Sequence, residues 1–156
     1  MVGSWPPRSS GSSSLNQAAD YIKKQFKKLG LDISEQKYLV RGKEYRNIIG
    51  RLNKKGSNKL IVVGAHYDVC GDQPGADDNA SGVAALLEAA RQLAARRSEL
   101  TRDVYFAAFS GEESGLLGST HLTRQPPAGL ALEKMMAMVN MDMVGRMRNN
   151  RFSVLG

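Results

Sequence analysis

The segment GAHYDVCGDQPGADDNASG, residues 64–82, combines one histidine with four aspartates. It overlaps the end of the apolar run KLIVVGA, so His66 and Asp68 stand where a segment that favours burial gives way to polar residues. An ionised carboxylate in an apolar setting is costly unless it is paired or binds a metal. These residue types at this spacing therefore indicate a candidate metal site.

Two later apolar segments end in the same way. DVYFAAF, residues 103–109, is followed by Glu112 and Glu113, and MMAMVNM, residues 135–141, is followed by Asp142. The carboxyl ends of parallel strands form the ligand crevice of an open α/β sheet. A histidine and several carboxylates converging there, with no Lys or Arg inside the motifs, would repel one another. Their repulsion predicts divalent cations, and favours two.

Each motif alone also fits an ordinary structural role. The His66–Asp68 pair could simply end a strand, and the glutamate pair could lie in a solvated loop. Residues 78–81 stand where the N-cap of a following helix belongs. Asp142 is harder to explain in this way because its neighbours are apolar. Only the coincidence of these motifs at three strand ends favours the metal site.

The elements that would position these residues alternate between strands and helices. Residues 15–29 predict an amphipathic helix with Ser14 as N-cap and Gly30 just beyond its end, followed by a hairpin around RGKE. Buried strands are predicted over 59–68, 102–110 and 134–142, helices over 80–97 and 114–125, and the start of a further strand over 151–156. The pattern predicts an α/β fold, three-layer αβα with a mostly parallel, mixed sheet.

Composition narrows the class of protein. The chain has 156 residues, 42% of them hydrophobic, which suits one domain or a piece of a larger one. No run reaches the ~18 apolar residues of a membrane span. The net charge of +7 raises the question of whether the protein binds nucleic acid, but the basic residues are scattered, and a solvated basic surface is the better interpretation.

The single Cys70 excludes an internal disulfide, and we expect it to pack in the interior. Residues 1–14, rich in Ser, Gly and Pro, predict a disordered arm or a cloning remnant.

The four motifs GAHYD, PGADDNASG, FSGEESGLLGS and NMDMVG resemble, in order and spacing, those of the cocatalytic (di-zinc) aminopeptidases. That family also contains glutamate carboxypeptidases, and glutaminyl cyclases are its relatives. The resemblance covers residues 15–156 and implies the N-terminal portion of a zinc exopeptidase catalytic domain, with a truncated phosphorylase/hydrolase-like fold. It implies a metal-dependent aminopeptidase acting on peptides.

The resemblance also implies a role for each matching side chain. The zinc ligands would be His66, Asp78, Glu113 and Asp142. Asp78 would be shared between two ions, would be followed by a cis peptide bond, and would have Asp77 as a neighbour that is not a ligand.

Glu112 would be the general base, taking a proton from the attacking water and passing it to the leaving amine. Asp68 would orient the imidazole of His66, as metal-bound histidines usually require.

One departure from the family pattern concerns the second zinc ion. That ion takes a further histidine from later in the family's sequence, whereas the other histidine here, His121, lies on the short helix and is expected at its surface. The resemblance therefore implies a weakly active part of an enzyme. An exposed sheet edge near residues 151–156 would favour a homo-oligomer, and family members are often extracytoplasmic.

Other functions stay open at this stage. A glutaminyl-cyclase-like acyltransferase, a carboxypeptidase or amidohydrolase of the same family, and a noncatalytic metal-binding scaffold all share parts of the pattern. The presence of Glu112 argues against the scaffold, which needs no general base. A nucleic-acid partner rests on net charge alone and is not expected.

Overall fold

The computed structural model describes residues 6–147, 149, 151 and 153–154. Within them the chain forms three α-helices and five β-strands. In chain order these are α1 (Ser13–Lys28), β1 (Asp32–Val40), β2 (Lys43–Leu52), β3 (Leu60–His66), α2 (Gly82–Ala95), β4 (Asp103–Phe109), α3 (Leu117–Arg124) and β5 (Met135–Asn140). Among the described residues, no helix has the length and apolar character needed to cross a bilayer.

The strands form one mixed sheet in the order β1–β2–β4–β3–β5. β1 and β2 are the predicted hairpin, and β2 runs antiparallel to β4. β3 lies between β4 and β5 and is parallel to both, with His66 opposite Phe109 and Gly64 opposite Asn140. The carboxyl ends of these three strands therefore meet at one edge of the sheet, as the sequence predicts.

Helices cover both faces of the sheet. Successive residues of a strand point to opposite faces, and β4 accordingly divides between two cores. Phe106 packs with Phe26 of α1 and Leu86 of α2 on one face, whereas Tyr105 packs with Leu122 of α3 on the other. This arrangement confirms the three-layer α/β prediction.

The first helix begins two residues earlier than the sequence predicts. Ser12 is its N-cap, and its hydroxyl accepts the amide of Leu15 at 3.2 Å. Ser14, the predicted cap, instead donates its hydroxyl to the carbonyl of Pro7. Gly30 follows the helix end with φ +69°, a left-handed conformation that favours glycine, so that part of the prediction is confirmed.

Strand β5 corrects the expectation of a buried strand. All six of its residues are exposed, with Met136 at 50% and Val139 at 53%. It pairs with β3 along one side and forms the edge of the sheet. A continuous apolar run does not distinguish a covered strand from an edge strand, because both favour the same residue types. The predicted further strand over 151–156 lies largely outside the described residues.

The N-terminal segment is also not the free arm that its composition suggests. The carbonyl of Pro7 accepts the hydroxyl of Ser12 at 3.2 Å, and the carbonyl of Arg8 accepts the amide of Val69 at 3.3 Å. Residues 7–14 are thus bound to the start of α1 and to the segment that follows β3. Residues 1–5 lie outside the described residues.

Candidate metal centre

His66, the last residue of β3, is the centre of the site. Its side chain is 2% exposed, and its Nε2 atom lies 3.1 Å from Oδ1 of Asp78 and 3.5 Å from Oδ1 of Asp142. Within the described part of the chain, neither ring nitrogen makes a hydrogen bond of good geometry. A buried imidazole facing two carboxylate oxygens, with one ligand atom from each residue within 4.8 Å of the others, fits a divalent metal ion.

The turn that carries Asp78 connects β3 to α2. It spans residues 76–81, and the peptide bond between Asp78 and Asn79 is cis, as the resemblance implies. Asn79 is fully buried, and its Oδ1 accepts the amide of Gly82 at 3.0 Å. The N-cap position of α2 is Ser81, whose side chain makes no capping hydrogen bond. Asn79 instead accepts the first amide of the helix, and Asp78 is left to face His66.

The same asparagine joins the turn to the segment that carries Asp142. Nδ2 of Asn79 donates to the carbonyl of Met141 at 2.9 Å, and its Oδ1 accepts the amide of Met143 at 3.2 Å. One buried amide thus holds the residues on both sides of Asp142 against the residue that follows Asp78. Sequence reasoning assigned Asn79 only a capping position and missed this link.

Asp77 makes a parallel connection. Its Oδ1 accepts the amide of Gly145 at 3.0 Å and the hydroxyl of Ser81 at 3.2 Å. Ser81 in turn accepts the amide of Val144 at 3.1 Å. Asp77 is thus occupied with joining the two loops, in keeping with the expectation that it neighbours the ligands.

Asp68 links His66 to the glutamate loop. Its side chain is 2% exposed, and its Oδ1 lies 3.5 Å from Nδ1 of His66, longer than a strong hydrogen bond. Its two oxygens accept the amides of Glu112 at 3.1 Å and Glu113 at 3.2 Å. Asp68 therefore stands behind the imidazole and fixes the backbone from which both glutamates project.

Both ends of the glutamate loop are held by Asn47 of β2, which is fully buried. Its Oδ1 accepts the amide of Ser110 at 3.2 Å, and its Nδ2 donates to the carbonyl of Gly118 at 2.9 Å. Nothing in the sequence around Asn47 indicated this role, because Ser110 and Gly118 lie more than sixty residues away from it.

The pKa values of the site reflect crowded acidic groups. Burial raises the pKa of Glu112, and Glu113, Asp142 and Asp68 raise it further, although His66 acts in the opposite direction. Burial alone would lower the pKa of His66, but Asp68, Asp142 and Glu112 outweigh it and raise that pKa to about 9. The carboxylates that favour a protonated imidazole are the groups that a bound cation would neutralise.

Glu113 is joined to the site less directly. Its amide is bound by Asp68, and burial and then Asp78 raise the pKa of its carboxyl group. The three-residue group of candidate ligands among the described residues is His66, Asp78 and Asp142, without Glu113. Glu112 lies closer, with Oε2 3.9 Å from Nε2 of His66.

Two expectations about other reactive side chains are wrong. His121 is half-buried and stacks on Tyr38 with ring centroids 4.4 Å apart, because α3 packs on the hairpin at this point. Cys70 is exposed, since the chain leaves the sheet after His66 and then enters a polar loop.

A cavity of about 160 Å³ opens beside His66 and Glu112. It lies between the start of α3 and strand β5, and its walls are Phe109, Leu116, Gly118, Ser119, Met138 and Asn140. The cavity gives a small, largely apolar group access to the candidate metal centre.

The chain is also similar to proteins of known family. A profile of peptidase family M28 matches residues 47–156. The probable leucine aminopeptidase of Arthroderma otae is 33% identical over 157 residues, which cover 90% of this chain and 41% of that protein. The probable zinc metalloprotease of Pyrenophora teres f. teres is 42% identical over 102 residues, covering 58% of this chain and 21% of that protein.

Solved structures show the same fold. The crystal structure of Porphyromonas gingivalis glutaminyl cyclase superimposes with a TM-score of 0.80 at 25% identity, covering 92% of this chain and 57% of that one. The chain thus spans about half, or less, of the length of these relatives.

Proposed function

The chain belongs to peptidase family M28, and on that premise we propose that the protein is a zinc-dependent aminopeptidase that hydrolyses N-terminal residues from peptides. The observation that carries the proposal is the buried His66, whose Nε2 faces the carboxylates of Asp78 and Asp142. Because the chain spans 41% of the length of its leucine aminopeptidase relative, the activity is proposed for the whole protein.

We assign the metal ligands as follows. His66 and Asp142 would hold one zinc ion, and Asp78 would be shared with a second ion that Glu113 also binds. Mixed imidazole and carboxylate ligands suit zinc. The raised pKa of Glu113, due to burial and then to Asp78, supports a second cation, because like charges at this point favour neutralisation.

Bound zinc would supply a Lewis acid that polarises the scissile carbonyl and lowers the pKa of a water molecule. The protein's own contribution begins with Glu112, which would accept a proton from the attacking water and deliver it to the leaving amine. Burial and neighbouring carboxylates raise the pKa of Glu112, which makes its carboxylate a stronger base toward the attacking water. Asp68 would keep the imidazole of His66 turned so that Nε2 faces the ligand side.

The matched variants Glu112→Gln and Glu133→Gln test this assignment, since Glu133 is exposed and lies outside every motif. With leucine p-nitroanilide as substrate, Glu112→Gln is expected to lose at least about 100-fold in kcat, the typical contribution of a general base, while its zinc content stays unchanged. Glu133→Gln should match the parent. Full activity in Glu112→Gln, or hydrolysis that persists after chelation of the metal, would contradict the proposal.

The likeness to glutaminyl cyclase favours a second candidate, an acyl transfer that closes an N-terminal glutamine on itself with release of ammonia. A peptide with N-terminal glutamine distinguishes the two reactions. Aminopeptidase action releases free glutamine, whereas cyclisation leaves the peptide intact with a modified first residue, and mass spectrometry separates the products.

We further propose that the exposed edge of β5 pairs with a second copy of the chain. The strand is exposed along its whole length and carries Met136, Met138 and Val139 at the surface. Unpaired edges with apolar side chains favour strand-to-strand association.

A further inference from the structure

The side chain of Arg8 makes three hydrogen bonds that the proposed reaction does not use. Its Nε donates to the carbonyl of Tyr67 at 2.9 Å, its Nη2 to the carbonyl of Gly75 at 2.8 Å, and its Nη1 to the carbonyl of Pro74 at 3.3 Å. A planar guanidinium can serve several acceptors at fixed angles, which lysine cannot do. Arg8 therefore joins two separate stretches of backbone.

Those two stretches carry the candidate metal ligands. Tyr67 lies between His66 and Asp68 at the end of β3, and Gly75 precedes Asp78 by three residues. The carbonyl of Gly75 also accepts the amide of Ala80 at 3.0 Å, which closes the turn around Asp78. The Arg8 guanidinium thus joins the end of β3 to the turn. In the turn it binds the carbonyl of Gly75, the same carbonyl that accepts the amide of Ala80.

The contact requires glycine at position 75. Gly75 has φ +61°, and a Cβ atom there would lie 2.0 Å from Cγ1 of Val69 and 2.7 Å from Nη2 of Arg8. The backbone of Arg8 is held as well, because its carbonyl accepts the amide of Val69 at 3.3 Å. The arginine is therefore bound through both its main chain and its side chain.

The positive charge of Arg8 also favours its position between the strand end and the turn. The strand end and the turn contribute Asp68 and Asp78 to a site whose own motifs contain no Lys or Arg. Arg8 comes from outside those motifs; burial lowers the pKa of its guanidinium, and attraction by Asp68 acts in the opposite direction. A cation at this point offsets part of the repulsion among the carboxylates before any metal binds.

We propose that Arg8 is a positioning residue of the metal centre: it fixes the turn that carries Asp78 to the end of β3 that carries His66. The inference rests on the metal centre proposed above. It predicts that loss of the guanidinium loosens the spacing between His66 and Asp78 and weakens metal binding.

Three variants test the role: Arg8→Gln, Arg8→Lys and, as a matched control, Arg124→Gln at an exposed position of α3. Hydrogen exchange of the metal-free protein is expected to be at least about tenfold faster at the amides of Val69 and Ala80 in Arg8→Gln than in the control. Co²⁺ titration followed by visible absorption should give a Kd raised about 10- to 100-fold, as for other supporting contacts around metal ligands, with an altered ligand-field spectrum. The exchange rates and the Co²⁺ Kd of Arg8→Lys should lie between those of Arg8→Gln and those of the control.

Other results would overturn the inference. If Arg8→Gln only lowers the melting temperature and leaves both the Co²⁺ Kd and the spectrum unchanged, Arg8 has a purely structural role. If Arg8→Gln does not fold, the same readouts on Arg8→Lys decide, and values equal to those of the control refute the role. A parent protein that binds no Co²⁺ overturns the metal centre itself and this role with it, whereas an unchanged Kd in the variants overturns the role of Arg8 alone.

Discussion

Replacement of Asp68 with asparagine tests how the site holds His66 and the glutamate loop together. The Asp68 carboxylate accepts two amides, from Glu112 and Glu113, and faces Nδ1 of His66. Asparagine can still accept one amide through its oxygen, but its NH₂ group faces the other. A hydrogen bond to a charged group contributes about 1.5–3 kcal/mol. We therefore expect the metal-free variant to lose about 2 kcal/mol of unfolding free energy at any pH where the carboxylate is ionised.

A second part of the loss of unfolding free energy in Asp68→Asn depends on pH. A rise in the pKa of His66 from 6.5 to about 9 corresponds to roughly 3 kcal/mol of preference for the protonated imidazole, shared among Asp68, Asp142 and Glu112. Since the folded-state pKa is raised, this stabilisation is fully present below about pH 6.5 and is lost as the pH rises through about 9. Loss of the Asp68 charge also relieves repulsion with Glu112, which reduces the penalty wherever Glu112 is ionised.

Urea unfolding of metal-free Asp68→Asn at about pH 6 and about pH 10 measures both parts. The penalty is expected to be larger at the lower pH by about 1–2 kcal/mol, with the exposed Asp72→Asn variant as control. NMR titration should show the pKa of His66 lowered by about one unit or more, and assignment needs only a His121→Gln variant because the chain has two histidines. An equal penalty at both pH values, with an unchanged His66 pKa, would refute this reasoning.

Two further changes are expected to have measurable effects. Asn79→Ala removes a fully buried amide that makes three hydrogen bonds, to Gly82, Met143 and Met141. Because buried groups are then left unpaired, chemical denaturation should show a loss of about 2–4 kcal/mol of unfolding free energy. A loss below about 0.5 kcal/mol, the scale of a surface substitution, would contradict this expectation. Val139→Lys places a charge on the exposed β5 edge and should convert the proposed oligomer to a monomer in light scattering, whereas a parent that is already monomeric would refute the edge pairing.

The sequence predicted the parts of the fold that depend on local pattern. The hairpin, the parallel strands and the meeting of His66 with Asp78 and Asp142 at one sheet edge followed from apolar periodicity and from the geometry of parallel strands. The motif resemblance added the cis peptide bond after Asp78. Each of these features is determined within a few residues or by a general rule of sheet topology.

The contacts that sequence reasoning missed are long-range ones. Arg8 meets Gly75 across sixty-seven positions of the chain, and Asn47 meets Gly118 across seventy-one, so neither contact leaves a local pattern. The exposure of β5 was missed for a different reason. An apolar run such as MMAMVN indicates that burial of these residues is favourable, but it does not indicate whether another element packs against the strand.

Metal content per chain shows whether His66, Asp78 and Asp142 form a metal centre. Elemental analysis should be carried out on the parent, on Asp78→Ala and on the exposed control Asp72→Ala, each purified identically and dialysed against zinc. The account predicts at least one bound zinc ion per chain in the parent and in the control, and its loss in Asp78→Ala. Equal zinc content in all three proteins, or none in the parent, would contradict a metal centre built on His66, Asp78 and Asp142.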